Sequence, residues 1–228
     1  MTSSHSKAQP SDGIIPTKLY CHNSDVDAEN NRRLGELSGA PATFRAKDTI
    51  ESLGGGGGSA VKQLSAHAEK YLVPAKLRLK VGAQVVLLQN KDLRHGLANG
   101  TRGVVVSIAN ATSKDGKHDN IPTPKVRFDN GRTLNMFPSE FKCSKGPNGG
   151  SITRAQVPLK LAWASTVHKS QGMTLSRVEV AISKAFDPGQ VYVALSRCVS
   201  LAGLWINGPI LRHRIKAHAA VKAFEANE

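Results

Sequence analysis

Aromatic residues make up only 5% of this 228-residue sequence, cysteines number 3, and 17 acidic side chains stand against 31 Lys and Arg. Each shortage excludes something. Cys21, Cys143 and Cys198 are odd in number, scattered and in no CxxC pair, which argues against a structural zinc site and for a reducing compartment. No apolar run approaches the ~20 residues of a membrane span. The opening MTSSHSKAQPSDG has no apolar core, so it does not read as a secretory signal, and it lacks the Arg-rich amphipathic pattern of a mitochondrial presequence. What is present is enough apolar residue, 39%, to exclude wholesale disorder, in a chain long enough to bury a core without disulfide staples.

The shortage of acids leaves a net charge of +14. It is unevenly placed. Residues 1–75 hold 8 basic and 8 acidic side chains, residues 76–150 hold 13 and 5, and residues 151–228 hold 10 and 4. All the excess therefore follows Lys76. A basic excess favours a polyanion partner, nucleic acid first, over a merely solubilising surface. The scarcity of aromatics means that base stacking would not be extensive.

Along the chain, residues 1–13 read as disordered. Ile14 to Cys21 reads as a short strand. Ser24 with Asp27 has capping-box form, and Val26, Asn30, Leu34 and Leu37 then fall on one helical face. A polar residue such as Asn30 on that face is usually a satisfied hydrogen-bonder. The five-glycine run Gly54 to Gly58 reads as a flexible loop, and Ser59 to Leu72 as a helix. From Ala75 the pattern becomes short strands at 76–79, 83–89, 102–108, 124–128, 132–136 and 151–157, with Asp129-Asn130-Gly131 as a hairpin turn and 110–123 as a mobile loop. A small β-barrel is expected there. From Pro158 strands and helices alternate: strands at 159–164, 178–182 and 204–207, and helices from Asp187-Pro188 to about Arg197 and from Ile210 to Glu225. That predicts an α/β fold with a largely parallel sheet.

Two stretches carry chemistry. Ala164-Ser165-Thr166-Val167-His168-Lys169-Ser170-Gln171-Gly172-Met173-Thr174-Leu175 follows a buried strand, placing Thr166, His168, Lys169 and Gln171 at a strand's carboxyl end, where α/β sheets bind ligands. Hydroxyls, amides and a Lys are the groups that contact phosphates. In Gly189-Gln190-Val191-Tyr192-Val193-Ala194-Leu195-Ser196-Arg197-Cys198, Arg197 stands at the end of the expected helix. A fixed guanidinium there can meet the charge of a transferring phosphoryl group. Taken alone, Arg197 reads rather as a cap on helix carbonyls.

Together these stretches closely resemble the fifth and sixth signature motifs of superfamily-one DNA helicases of the Pif type, including the RecD-like enzymes. Pro16 to Tyr20 with Asn23, Val26 and Asn30 is similar to that family's fourth motif. Leu79 to Val85 through Asn90, then Leu97 to Gly103, is similar to its entry into a small Src-homology-type barrel. The resemblance runs over about residues 14–217. It implies a RecA-like second motor domain (14–90 and 158–228) with a barrel inserted at 91–157. It implies 5′-to-3′ movement along single-stranded DNA driven by ATP and Mg2+, in repair, recombination and telomere maintenance, inside the nucleus or mitochondrion of a eukaryote and not at a membrane. By the same resemblance Arg197 is the arginine finger. Gln171, Gly172, Gln190, Tyr192 and Asn23 face the nucleotide side, and Thr166, His168 and Lys169 touch DNA. No metal ligand is assigned.

The departure from the family pattern matters as much. No GxxxxGK[ST] phosphate loop occurs anywhere in the sequence, nor does the acidic pair that accompanies it. The chain begins about where the linker into the second motor domain is expected. Two functional classes follow: part of a helicase whose first motor domain lies in a longer product or on another chain, and so inactive in hydrolysis alone, or a stand-alone basic module that binds single strands without hydrolysis.

Overall fold

The computed structural model describes residues 13–52, 73–143, 151–180 and 189–208, with a few single positions beyond. In chain order the elements are β1 (Thr17–Tyr20), α1 (Asn23–Glu36), β2 (Ala42–Arg45), β3 (Lys47–Ser52), β4 (Lys76–Leu79), β5 (Gln84–Leu87), β6 (Arg102–Ala111), β7 (Ile121–Phe128), β8 (Thr133–Asn135), β9 (Ser139–Cys143), β10 (Ser151–Gln156), β11 (Leu159–Leu161), β12 (Ala164–Thr166), β13 (Val178–Val180), α2 (Gln190–Leu195) and β14 (Leu204–Ile206). One-turn 3-10 helices lie at Leu93–His95, His168–Ser170 and Leu201–Gly203. The chain forms two units, Met1–Glu36 with Ala162–Glu228, and Leu37–Leu161. Among the described residues no helix is long and apolar enough to cross a membrane.

The first unit is built on a four-stranded sheet of order β12-β1-β13-β14. Every pairing is parallel. Leu19 of β1 is buried with Val178 and Val180 of β13 and Val191 and Ala194 of α2 in one apolar core. Along α1, Val26, Asn30 and Leu34 recur every four residues and are all buried, the spacing of one helical face. Asn30 is the satisfied hydrogen-bonder that its place on that face suggests. Its Nδ2 donates to the Ala164 carbonyl at 3.1 Å, and its Oδ1 accepts the Ala164 amide at 3.0 Å. The amide thus behaves as one more rung on the outer edge of β12.

On the partly solvated side of α1, Glu29 accepts hydrogen bonds from Lys18, Arg32 and Arg33. Burial alone would raise its carboxyl, but the bonds from Arg32 and Lys18 outweigh that and hold it below the ordinary carboxylate value. This contribution to stability is present at neutral pH and is lost as pH falls through the lowered value.

The second unit consists of β structure apart from the 3-10 turn at Leu93–His95, over its described residues. Strands β11-β5-β6-β7-β8 form an antiparallel sheet, β3-β10-β9 a second, and β2-β4 a two-stranded ribbon. All four residues of β5 are buried, the polar Gln84 among them, as expected for a nearly all-apolar strand covered on both faces. Two polar side chains anchor the interior. Gln156, 1% exposed, donates to the carbonyls of Phe44 and Pro74 and accepts the Val157 amide. Arg154, also 1% exposed, grips Asp48 through two parallel bonds of 2.7 and 2.8 Å.

Several sequence readings need revision. The domain boundary drawn at 90/91 falls inside the second unit, which begins at Leu37, because β5 pairs with β6 across it. The stretch 110–123 is not all loop: Asn110 pairs with Pro122 and Ala111 with Ile121. The polar sequence there misled because Thr112–Asp119 and Ser113–Asp115 side-chain bonds close a tight turn beyond the ladder. Leu159 to Ala164 is two strands. Leu159–Leu161 runs antiparallel to β5, and Ala164–Thr166 runs parallel to β1, so one apolar run serves two sheets. Helix α2 starts at Gln190, since Gly189 is left-handed at φ 77° and cannot sit inside a helix. Strands β2, β3 and β9 were not anticipated. The residue 1–12 segment, the glycine run, the 59–72 helix, the Asp187-Pro188 cap and the 210–225 helix lie outside the described residues.

Candidate functional site

Because the sheet of the first unit is parallel, the carboxyl ends of β12, β1 and β13 lie along one edge. That is the edge at which open α/β sheets take ligands. Asn23 follows β1, the segment His168 to Gly172 follows β12, and Gln190, Tyr192 and Arg197 follow β13. Topology therefore brings Asn23 and the segment His168 to Gly172 to neighbouring loops at that edge, while Arg197, beyond the far end of α2, is bonded through its carbonyl to Leu175, which precedes β13. Asn23 opens α1 and is exposed.

The turn after β12 is fixed by its own hydroxyls. Thr166 is 3% exposed, and its Oγ1 accepts the Lys169 amide at 3.2 Å. Ser170 is fully buried and donates to the Val167 carbonyl at 2.7 Å. The Val167 amide in turn donates to Tyr20 at 3.0 Å, tying the turn to the end of β1. His168 and Lys169 are left exposed, as are Gln171 and Gly172. Gly172 has φ 76°, the left-handed region that favours glycine. So Thr166 builds the turn, whereas His168, Lys169 and Gln171 present side chains to solvent. Ser170 was missed by sequence reasoning. Its only signal was a small hydroxyl within the HKSQG run.

Helix α2 is one and a half turns long and splits its residues cleanly. Gln190, Val191 and Ala194 are buried, while Tyr192 is 74% exposed. Gln190 and Tyr192 therefore face different surroundings. Arg197, half-buried, folds back on its own helix. Its Nε donates to the Val193 carbonyl at 3.0 Å, and its Nη2 donates to Ser196 Oγ at 3.0 Å. That is the carbonyl-capping geometry, and it engages two of the five N–H donors of a guanidinium. The rest of the fork remains available to an anion.

The two chemistry-bearing stretches are laced together by backbone. The Leu175 amide donates to the Arg197 carbonyl at 2.9 Å, and the Val199 amide donates to the Leu175 carbonyl at 3.2 Å. The segment that follows Gly172 thus leads into a parallel bridge between Leu175 and Cys198, the residue after Arg197. Among the described residues no group of three His, Cys, Asp or Glu side chains could hold a metal ion.

The family model for the DNA helicase Pif1, 2B domain, matches residues 66–108. The chain is 42% identical over 193 residues to the ATP-dependent DNA helicase PIF1 of Danio rerio, covering 85% of this chain and 27% of that protein. The crystal structure of Pif1 helicase from Candida albicans superposes with a TM-score of 0.71 at 33% identity, covering 98% of this chain and 52% of that one. The crystal structure of Bacteroides Pif1 bound to ssDNA gives a TM-score of 0.57 at 30% identity, with 93% and 45% covered. The fold is accordingly a RecA-like α/β sheet carrying an inserted domain.

Proposed function

This chain belongs to the Pif1-type superfamily-one DNA helicases, of whose Danio rerio member it spans 27%, and on that premise we propose that it supplies the arginine-finger half of a helicase. The single observation that carries this is the backbone pairing of the two motif-like stretches, in which the Leu175 amide donates to the Arg197 carbonyl and the Val199 amide donates to the Leu175 carbonyl. In this reading Arg197 reaches a nucleotide phosphate, Gln171, Gly172, Gln190, Tyr192 and Asn23 line the nucleotide side, and His168 and Lys169 touch single-stranded DNA, with Thr166 shaping their turn.

The residues present fit part of a nucleotide site and not a whole one. Arg197 offers donors to a terminal phosphate. The sequence has no GxxxxGK[ST] loop to cradle the other phosphates. ATP with Mg2+, when bound, supplies the free energy for movement along DNA, and most of its contacts belong to a first motor domain. The 228 residues by themselves therefore bind single strands and do not hydrolyse ATP. By family, the settings are repair, recombination and telomere maintenance.

The basic excess after Lys76 favours phosphate contact over base readout. Affinity for an oligo(dT) strand, followed by fluorescence anisotropy, should fall linearly on a log scale with salt, by about 0.7 per phosphate contacted. A dissociation constant that stays flat between about 50 and about 200 mM salt would exclude phosphate contact as the basis of binding.

A further inference from the structure

We propose that the outer face of the β2–β4 ribbon is a docking strip for the backbone of one nucleic-acid strand; the proposal rests on the single-strand-binding reading above and adds a site to it. The ribbon alternates strictly. Phe44, Leu77 and Leu79 are buried, while Thr43, Arg45, Lys76 and Arg78 are exposed. The antiparallel register sets Arg45 opposite Lys76 and Thr43 opposite Arg78. Residues of the same face two apart on a strand are separated by about 6.6 Å, and directly opposed residues by about 5 Å. Three cations and a hydroxyl therefore crowd one small, flat, solvent-facing patch.

Two observations single this patch out. Like charges placed directly opposite each other destabilise a ribbon, yet Arg45 faces Lys76 with no acid between them. Among the described residues none of the three has a carboxylate partner. Elsewhere Lys18, Arg32 and Arg33 gather on Glu29, Arg132 on Asp92 and Arg154 on Asp48. Asp48 is the acid closest to the strip in sequence, and both its oxygens are taken by Arg154. The uncompensated repulsion is relieved when an external anion lies along the strip. A single file of charge on an open surface suits one phosphodiester strand. It does not suit the two phosphate rows that border a duplex groove.

The test uses the whole chain and a labelled oligo(dT). The triple variant Arg45→Gln, Lys76→Gln, Arg78→Gln should weaken binding about tenfold or more and lower the salt slope by about 2, three contacts at about 0.7 each. A control removing three other exposed cations, Lys114→Gln, Lys117→Gln and Lys125→Gln, should leave affinity much closer to wild type. The charge-conserving pair Arg45→Lys, Arg78→Lys should retain binding, and thermal melts check that each variant is folded. Equal losses in both triples would overturn the strip in favour of diffuse net charge. An unchanged strip triple would overturn it while leaving single-strand binding intact. A loss seen with duplex but not with oligo(dT) would overturn it as well. A wild-type chain that binds no oligo(dT) would remove the single-strand reading itself, and the strip with it.

Discussion

Replacing Arg154 by alanine is expected to lower the stability of the chain by about 3–5 kcal/mol, the range found when one partner of a buried ion pair is removed. Arg154 is almost wholly buried at 1% exposure, and its partner Asp48 retains 26% of its side-chain surface. The guanidinium makes a two-pronged grip on that carboxylate and donates its remaining terminal nitrogen to the Val73 carbonyl at 2.9 Å. One deletion therefore strands a carboxylate and a buried carbonyl together, and opens a void between β10 and β3, where Arg154 and Asp48 face each other in register. Domains of this kind have only about 5–15 kcal/mol in hand, so the variant should unfold at a markedly lower urea concentration, read by circular dichroism. A loss below about 1 kcal/mol would place the pair with ordinary surface salt bridges.

The largest functional effect should come from Arg197. When the first motor domain of a Pif1-type helicase is joined ahead of this chain, the product should hydrolyse ATP, and Arg197→Ala should lower kcat by about 10³-fold or more, as for arginine fingers elsewhere. Arg197→Lys should restore little, because an ammonium lacks the planar fork. Binding to oligo(dT) should survive both changes. The capping bonds to Val193 and Ser196 predict a small stability loss as well, about 0.5–1.5 kcal/mol for each hydrogen bond removed. A variant with unchanged kcat and only that stability loss would show that Arg197 is a helix cap and nothing more.

The central strands and α1 were legible because their patterns are local. The burial of Val26, Asn30 and Leu34 follows from helical spacing, and that of Val85, Val86 and Leu87 in β5 from a nearly all-apolar run. The order of the sheet was not legible, because pairing β1 between β12 and β13 joins residues about 150 positions apart, and nothing local encodes that choice. Nor were β2, β3 and β9 legible. Their residues are mixed or charged, and the partner of β3 lies about 100 positions along the chain. Within the site, the exposed His168, Lys169 and Gln171 could be picked out by residue type. The roles of Thr166 and Ser170 could not, since a hydroxyl that holds a turn and one that meets a phosphate look alike in sequence. Arg197 displays both of its possible readings at once: it caps its own helix, and part of its fork is free to meet an anion.

The deciding measurement is the ATP turnover of the purified 228-residue chain with and without single-stranded DNA. No turnover above background is expected in either condition, because an arginine finger completes a phosphate site and does not make one. Turnover stimulated by DNA and abolished by Arg197→Ala would contradict the proposed function.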